Sequence, residues 1–426
     1  MPRIVEAMPR RRDLLRSAPA AAMGLTACRA ADPSPLRVPD HPGDDAAWDA
    51  LAQEFAADRS VVYLNNGGVS IPPLAVQRAH LAGVVAADGA PAQVLWSEQE
   101  RGKAEVRRRL AELAGCATED VALVRNASEG LELLQMGIDL DPGDEVVHAD
   151  QDYPRMRAAW RQRERREGIV RRVVALPGPE GDDDAIVEAY RAALGPRTRV
   201  VFVSQVVNLT GRILPVARLT ALAREHGALC IVDGAHGLGH FPFDLTELGV
   251  DLYATSLHKW VHAPTGTGMV VIRGEARDRI WPLLAADEAL DGRAARYEQL
   301  GTHPVAPFLA VGPALDLLEA VGLERKAARL RALRDRWLDA LLKDPRVTLL
   351  APRERTVGIA TVVVEGWSPG QLHRLLWGGH RIRTSPVDTP EVRGVRVSPG
   401  LHTTTAELDR FIAVMRKALQ EGPPPA

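Results

Sequence analysis

Between residues 121 and 272, short apolar runs take turns with segments of helical periodicity, and this alternation restricts the fold more than any other feature. The runs at 121–124, 145–148, 170–175, 200–203, 229–232, 252–254 and 268–272 read as strands. Segments 127–136, 154–167, 185–193 and 216–226 carry apolar residues at helical spacing. Strands alternating with helices imply an α/β architecture with a mostly parallel sheet covered on both faces. Several of the runs lack polar alternate positions, as strands buried on both sides require. Past Pro304 the pattern changes to two long helices over 308–342, then short strands, then a final helix after Thr404. That change predicts a smaller C-terminal domain, with an early helix over 48–57 and a strand over 61–64 joining it. The expected division is 1–43 as signal and spacer, 44–70 as an N-terminal segment packing with the small domain, 71–304 as the large domain and 305–426 as the small one.

Composition excludes several alternatives. Lys and Arg total 53 against 55 Asp and Glu, a formal net charge of −2, whereas a general nucleic-acid binder would show a basic excess. Hydrophobic residues make up 46% of the chain, enough for a large core, so disorder as the main state is ruled out. The three cysteines, Cys28, Cys116 and Cys230, are too few and scattered for a disulfide framework. At the N-terminus, Arg10, Arg11 and Arg12 precede Leu14 and Leu15, then a small-residue stretch, which resembles a twin-arginine export signal. Leu25-Thr26-Ala27-Cys28 resembles a lipobox, which would tether a periplasmic protein to the membrane through Cys28; without a real signal the protein is cytoplasmic. The Arg-rich stretch 155–172 is interleaved with Glu164 and Glu167 and reads as a solvated helix face.

The chemistry lies between 229 and 268. An apolar strand ends in Asp233-Gly234-Ala235-His236, and in such sheets ligands sit at the carboxyl ends of strands. A carboxylate held there stabilises a cationic ring nitrogen, although a strand-end Asp can also cap a turn. After the next apolar run comes Ser256-Leu257-His258-Lys259-Trp260. A lysine so enclosed has its ammonium disfavoured, and its free amine suits Schiff-base chemistry with an aldehyde. Ser256 and His258 flank it with donors suited to a phosphate.

Together with Ala263-Pro264-Thr265-Gly266 and Asn208-Leu209-Thr210-Gly211-Arg212, these motifs resemble the class V aminotransferase family of pyridoxal 5'-phosphate (PLP) enzymes, in particular its isopenicillin N epimerase branch. The family also contains cysteine desulfurases. The resemblance implies the PLP-dependent transferase (aspartate aminotransferase-like) fold and PLP joined to Lys259. It implies Asp233 on the pyridine nitrogen and His236 near the phenolic oxygen, with Gln205 or Asn208 close by. It places Asn126, Ala127 and Ser128 in the phosphate-binding turn, where a helix N-terminus suits a dianion. Tyr153 is implied to stack on the cofactor, and Thr302, after Gly301, to reach the phosphate of a neighbouring subunit in a homodimer. Arg396 occupies the place of the family's carboxylate-binding arginine, with Arg381, Arg383 and Arg393 as competitors and a surface ion pair as the bland reading. Asn65 and Asn66 are weaker candidates for substrate contact.

The implied activity is chemistry at Cα of an amino acid or amino-acid-containing peptide, isopenicillin N epimerase-like, with aminotransferase or C–S/β-lyase as alternatives. An exported binding or scaffold lipoprotein is the alternative of another class. Desulfuration would need a mobile cysteine near the substrate, and none falls in a late loop. His236 with His240, and His258 with His262, have zinc-like spacing, but glycines and Pro264 break the helices that spacing needs, so no metal is expected. Thr265 to Gly268 lacks the lysine of a P-loop.

Overall fold

Every apolar run predicted as a strand between 121 and 272 is one in the structure, a computed structural model that describes residues 38–423. The export and lipidation motifs, Cys28 included, lie outside the described residues. A two-residue strand, β1 (Val62–Tyr63), precedes the seven of the large sheet. These are β2 (Val121–Val124), β3 (Glu145–Ala149), β4 (Val170–Val174), β5 (Thr198–Ser204), β6 (Leu229–Asp233), β7 (Leu252–Ser256) and β8 (Gly268–Ile272). Their order is β2-β8-β7-β6-β5-β3-β4, and only β8 runs antiparallel to its neighbours.

The missing polar alternation has a direct cause. Val200, Phe202, Ile231 and Val270 join one apolar cluster, while Val201, Val203, Val232 and Val271 join another. Each strand therefore needs apolar residues at every position, one set for each face. Edge strand β4 departs from this and exposes Arg172 and Val173.

Four further strands, β9 (Val347–Leu349), β10 (Ala360–Val364), β12 (Ser385–Asp388) and β13 (Arg393–Val397), form an antiparallel sheet in the order β12-β13-β10-β9. Between them β11 (Ile382–Arg383) pairs parallel with β1. Trp337 and Leu338 of helix Leu323–Leu341 and Phe411 and Met415 of helix Thr405–Glu421 pack on this sheet with Val62 and Leu64.

Two boundaries differ from expectation. The early helix spans Asp45–Ala52, because Asp44 caps it by accepting from the Ala47 amide, rather than 48–57. The two long helices expected over 308–342 are Val311–Val321 and Leu323–Leu341, parted at Gly322 with its positive φ, and an extra short helix, Ala306–Leu309, precedes them. Several arginines of 155–172 pair with carboxylates: Arg157 with Glu391, Arg171 with Glu164 and Arg172 with Glu145.

Candidate active site

The carboxyl ends of β5, β6 and β7 open into a cavity of about 670 Å³, within the range of small-molecule sites. Asp233 ends β6 and lines it, with Oδ1 accepting from the Ala235 amide at 2.9 Å. Burial pushes this carboxyl up, opposed by the Ala235 bond and by Lys259. Lys259 lies on the short helix Leu257–Trp260 that follows β7. Burial pulls its ammonium down to about 8, against the pull of Asp233 and with help from Arg396. The ordinary value is 10.5, so the nucleophilic free amine accumulates in the folded protein from about pH 8 upward. Covalent capture of PLP by the apoenzyme is accordingly expected to accelerate as pH rises through about 8 and then level off. Stopped-flow absorbance measures this, and a capture rate indifferent to pH across that point contradicts it.

His236 lies 3.4 Å from Lys259, Nε2 to Nζ. It is buried, and burial, Lys259 and Arg396 together hold its ring well below the usual histidine range, so it is neutral. His258 also lines the cavity as a neutral imidazole, pulled down by burial to about 4, and its Nδ1 has no partner.

The helix Ala127–Gly137 points its N-terminus into the same space. Asn126 caps it through the Glu129 amide at 2.9 Å, and the Ala127 amide donates to Ser256 Oγ at 2.9 Å. Ser128 lines the cavity with its amide and hydroxyl not taken by protein partners among the described residues. Gly268 lets β8 pass directly behind this turn, since a Cβ there would lie 2.7 Å from the Asn126 Cα.

Arg396 of β13 forms the opposite wall. It is 8% exposed, Nη1 donates to the Asn208 carbonyl at 2.7 Å and Nη2 to Asn65 Oδ1 at 3.1 Å. Its Nε has no partner, and no carboxylate pairs with it among the described residues. Burial without a counter-ion pulls this guanidinium down to about 10. An unpaired cation so enclosed is costly unless an anion arrives, which overturns the surface-ion-pair reading. The competing arginines are engaged elsewhere: Arg393 pairs with Asp388 at 2.8 Å, and Arg381 and Arg383 lie over the Trp377 ring.

Tyr153 stands at the cavity rim, 40% exposed, just before helix Pro154–Glu167. Asn208 lines the wall with a buried, unpartnered Oδ1. Two expected residues fall elsewhere. Asn66 is fully buried and donates to the Lys259 carbonyl at 3.1 Å, so it holds the backbone under the lysine and leaves the cavity to Asn65. Gln205 turns from the cavity and accepts from the Tyr253 hydroxyl at 3.1 Å, while its neighbour Ser204 lines it. Thr302, expected to serve a neighbouring subunit's cofactor and not this chain's own, is exposed and outside this cavity.

Sequence reasoning gave no role to Ser204 or Asp152. Asp152 is buried behind Ser204, accepting from its hydroxyl and from the Ala149 amide, both at 2.7 Å. Burial pushes its carboxyl up to about 7, the two bonds oppose this and nearby Asp233 adds to it. The signal for Ser204 was its place as the last residue of a buried strand beside Asp233.

The family model described as aminotransferase class-V matches residues 62–411. This chain belongs to the class V aminotransferase family. As a class V family member it is an enzyme whose cofactor is PLP. It is 32% identical over 391 residues to isopenicillin N epimerase of Streptomyces clavuligerus, covering 86% of this chain and 97% of that one. It is 31% identical to a probable cysteine desulfurase of Pseudomonas aeruginosa, over 91% and 98% of the two chains. Its fold resembles that of the cystine C–S lyase C-DES, with a TM-score of 0.76, 24% identity and coverage of 85% and 98%. The class V fold thus places a lysine, an aspartate and a helix N-terminus around one space. The residues present fit PLP: the amine of Lys259, the carboxylate of Asp233, the Ala127–Gly137 helix end for a phosphate dianion, and the unpartnered Asn208 Oδ1 and His258 Nδ1 on the walls.

Proposed function

We propose that this class V family member changes the configuration at Cα of an amino acid or amino-acid-containing peptide, in the manner of an isopenicillin N epimerase. The observation that carries the reading is a cavity with an unpaired buried arginine opposite a reactive lysine and no thiol among its described lining. Cys230 is buried inside β6 and Cys116 follows helix Glu100–Ala114; burial pushes both thiols up to about 12. Neither is a nucleophile available to a substrate, which disfavours desulfuration although a probable desulfurase is among the relatives.

Arg396 holds the substrate carboxylate through paired N–H groups and so sets which bonds of Cα face Lys259. Lys259 Nζ, unprotonated above about pH 8, takes the Cα proton. PLP, when bound, supplies the electron sink for the charge left at Cα. Asp233 keeps a positive charge favourable at the far end of the site. His236, neutral and buried, offers a hydrogen bond beside Lys259 without adding a charge there.

The test is incubation of holoenzyme with single-enantiomer amino acids and aminoacyl peptides in D2O. The expected result is deuterium at Cα with loss of chirality. Stoichiometric oxo acid would make it an aminotransferase, and release of a β-substituent a lyase; either outcome overturns the epimerase reading.

A further inference from the structure

Trp260 is among the largest fully buried side chains, and its indole N–H donates to His236 Nδ1 at 3.3 Å. Its ring stacks on His240 with centroids 3.7 Å apart and planes 4° from parallel. His240 is itself fixed at both nitrogens: Nδ1 lies 2.8 Å from the His236 carbonyl, and Nε2 accepts from the Gly358 amide at 2.8 Å. A backbone amide can only donate, so the proton of His240 sits on Nδ1. There is no room for the stack to slide, because a Cβ on Gly358 would lie 2.9 Å from both His240 Nε2 and Trp260 Cη2. The Trp260 carbonyl is held in turn by the ammonium of buried Lys326, from the helix Leu323–Leu341.

An indole nitrogen, like an amide, donates and never accepts. We infer that Trp260 fixes the tautomer of His236, leaving Nδ1 as the acceptor and placing the ring proton on Nε2, the nitrogen 3.4 Å from Lys259 Nζ. Neutrality of the buried ring follows the same direction, since a second ring proton has no acceptor at Nδ1. The consequence is a division of labour. His236 serves as a hydrogen-bond donor to an anionic oxygen bound beside Lys259, and with Nε2 already protonated it does not take a proton there. Proton abstraction is left to the lysine. Trp260 is a positioning residue, acting only through His236, and the inference holds whichever Cα reaction the enzyme performs.

The test is NMR of protein carrying 15N-labelled histidine, with His236 assigned by its loss in His236→Gln. Wild-type protein, with or without PLP, is expected to show His236 as the Nε2–H tautomer alone. Trp260→Phe keeps an aromatic ring on His240 and removes the donor; it is expected to lose the single Nε2–H signal in favour of Nδ1–H or a mixture. In the holoenzyme the same variant should shift the pH midpoint of the PLP absorbance band. In a His236→Gln background Trp260→Phe should add no further shift. An Nδ1–H tautomer in wild type, an unaltered Nε2–H signal in Trp260→Phe, or an equal shift in the glutamine background overturns the proposal. If Trp260→Phe does not fold, the wild-type spectrum decides between Nδ1–H and Nε2–H by itself. The apoprotein signal remains readable even if the epimerase reading fails.

Discussion

Lys259→Ala is expected to lower turnover by about 10⁴-fold or more, the upper end of what one positioned general base contributes, because the same side chain also anchors the cofactor. The variant keeps the rest of the site. Asn66 grips the backbone carbonyl of residue 259, and Ser70 grips that of His258 through both its amide and its hydroxyl, at 2.8 and 2.9 Å. Neither contact involves the lysine side chain, so the short helix Leu257–Trp260 should stay in place. Circular dichroism and thermal melting are expected to match wild type within about 0.5 kcal/mol, since no packed apolar group is removed. Purified Lys259→Ala should lack the absorbance band of covalently held PLP and should release the cofactor on gel filtration. A variant that retains a covalent chromophore would move the reactive amine to another residue and undo the assignment of the site.

Arg396→Ala is the second large effect. The guanidinium is buried with no counter-ion among the described residues and a free Nε, and on the proposed reading the anion it awaits is the substrate's. Losing one partner of a buried, hydrogen-bonded charge pair costs about 2–5 kcal/mol, or roughly 30- to several-thousand-fold in kcat/KM. Most of this should appear in KM, since the contact is present before the reaction begins. The PLP absorbance band should persist, because Arg396 bonds to Asn208 and Asn65 rather than to Asp233 or Lys259, with only its pH midpoint free to move as the charge near Lys259 is lost. Arg396→Lys should recover only part of the loss, since a single ammonium cannot form two parallel bonds to a carboxylate. Steady-state kinetics with carboxylate and amide forms of one substrate separate the effects: the amide should be nearly indifferent to the substitution. Equal losses for both forms would mean that Arg396 supports the wall of the cavity and a different group binds the carboxylate.

Much of the site was legible because strand ends carry it. Asp233 and Ser256 close buried apolar runs, and Lys259 follows within one turn, so their convergence needed only the parallel sheet. The misassignments come in adjacent pairs. Asn65 and Asn66 stand where the chain leaves a bridge to Ser398 for a turn, and Ser204 and Gln205 where β5 ends in a bend, so neighbouring side chains diverge there. One of each pair reaches the cavity, while the other turns to the Lys259 backbone or to Tyr253. Arg393 and Arg396 lie on opposite faces of β13 because strand side chains alternate, one exposed against Asp388 and the other buried in the cavity wall. Composition and motif spacing rank such neighbours equally.

What the amino-acid sequence determined by itself was the order of strands and helices, the apolar character of both sheet faces, and the placing of Lys259 and Asp233 just past or at the ends of buried runs. Those are local properties: the period of hydrophobicity and the residue types at run ends survive without knowing what lies alongside. Which of two adjacent side chains faces the cavity, that Arg396 has no counter-ion, and that the indole of Trp260 meets His236 across 24 residues of chain were decided only by tertiary structure. Each depends on which element packs against which face, and that is settled by the simultaneous burial of distant segments rather than by any stretch of sequence alone.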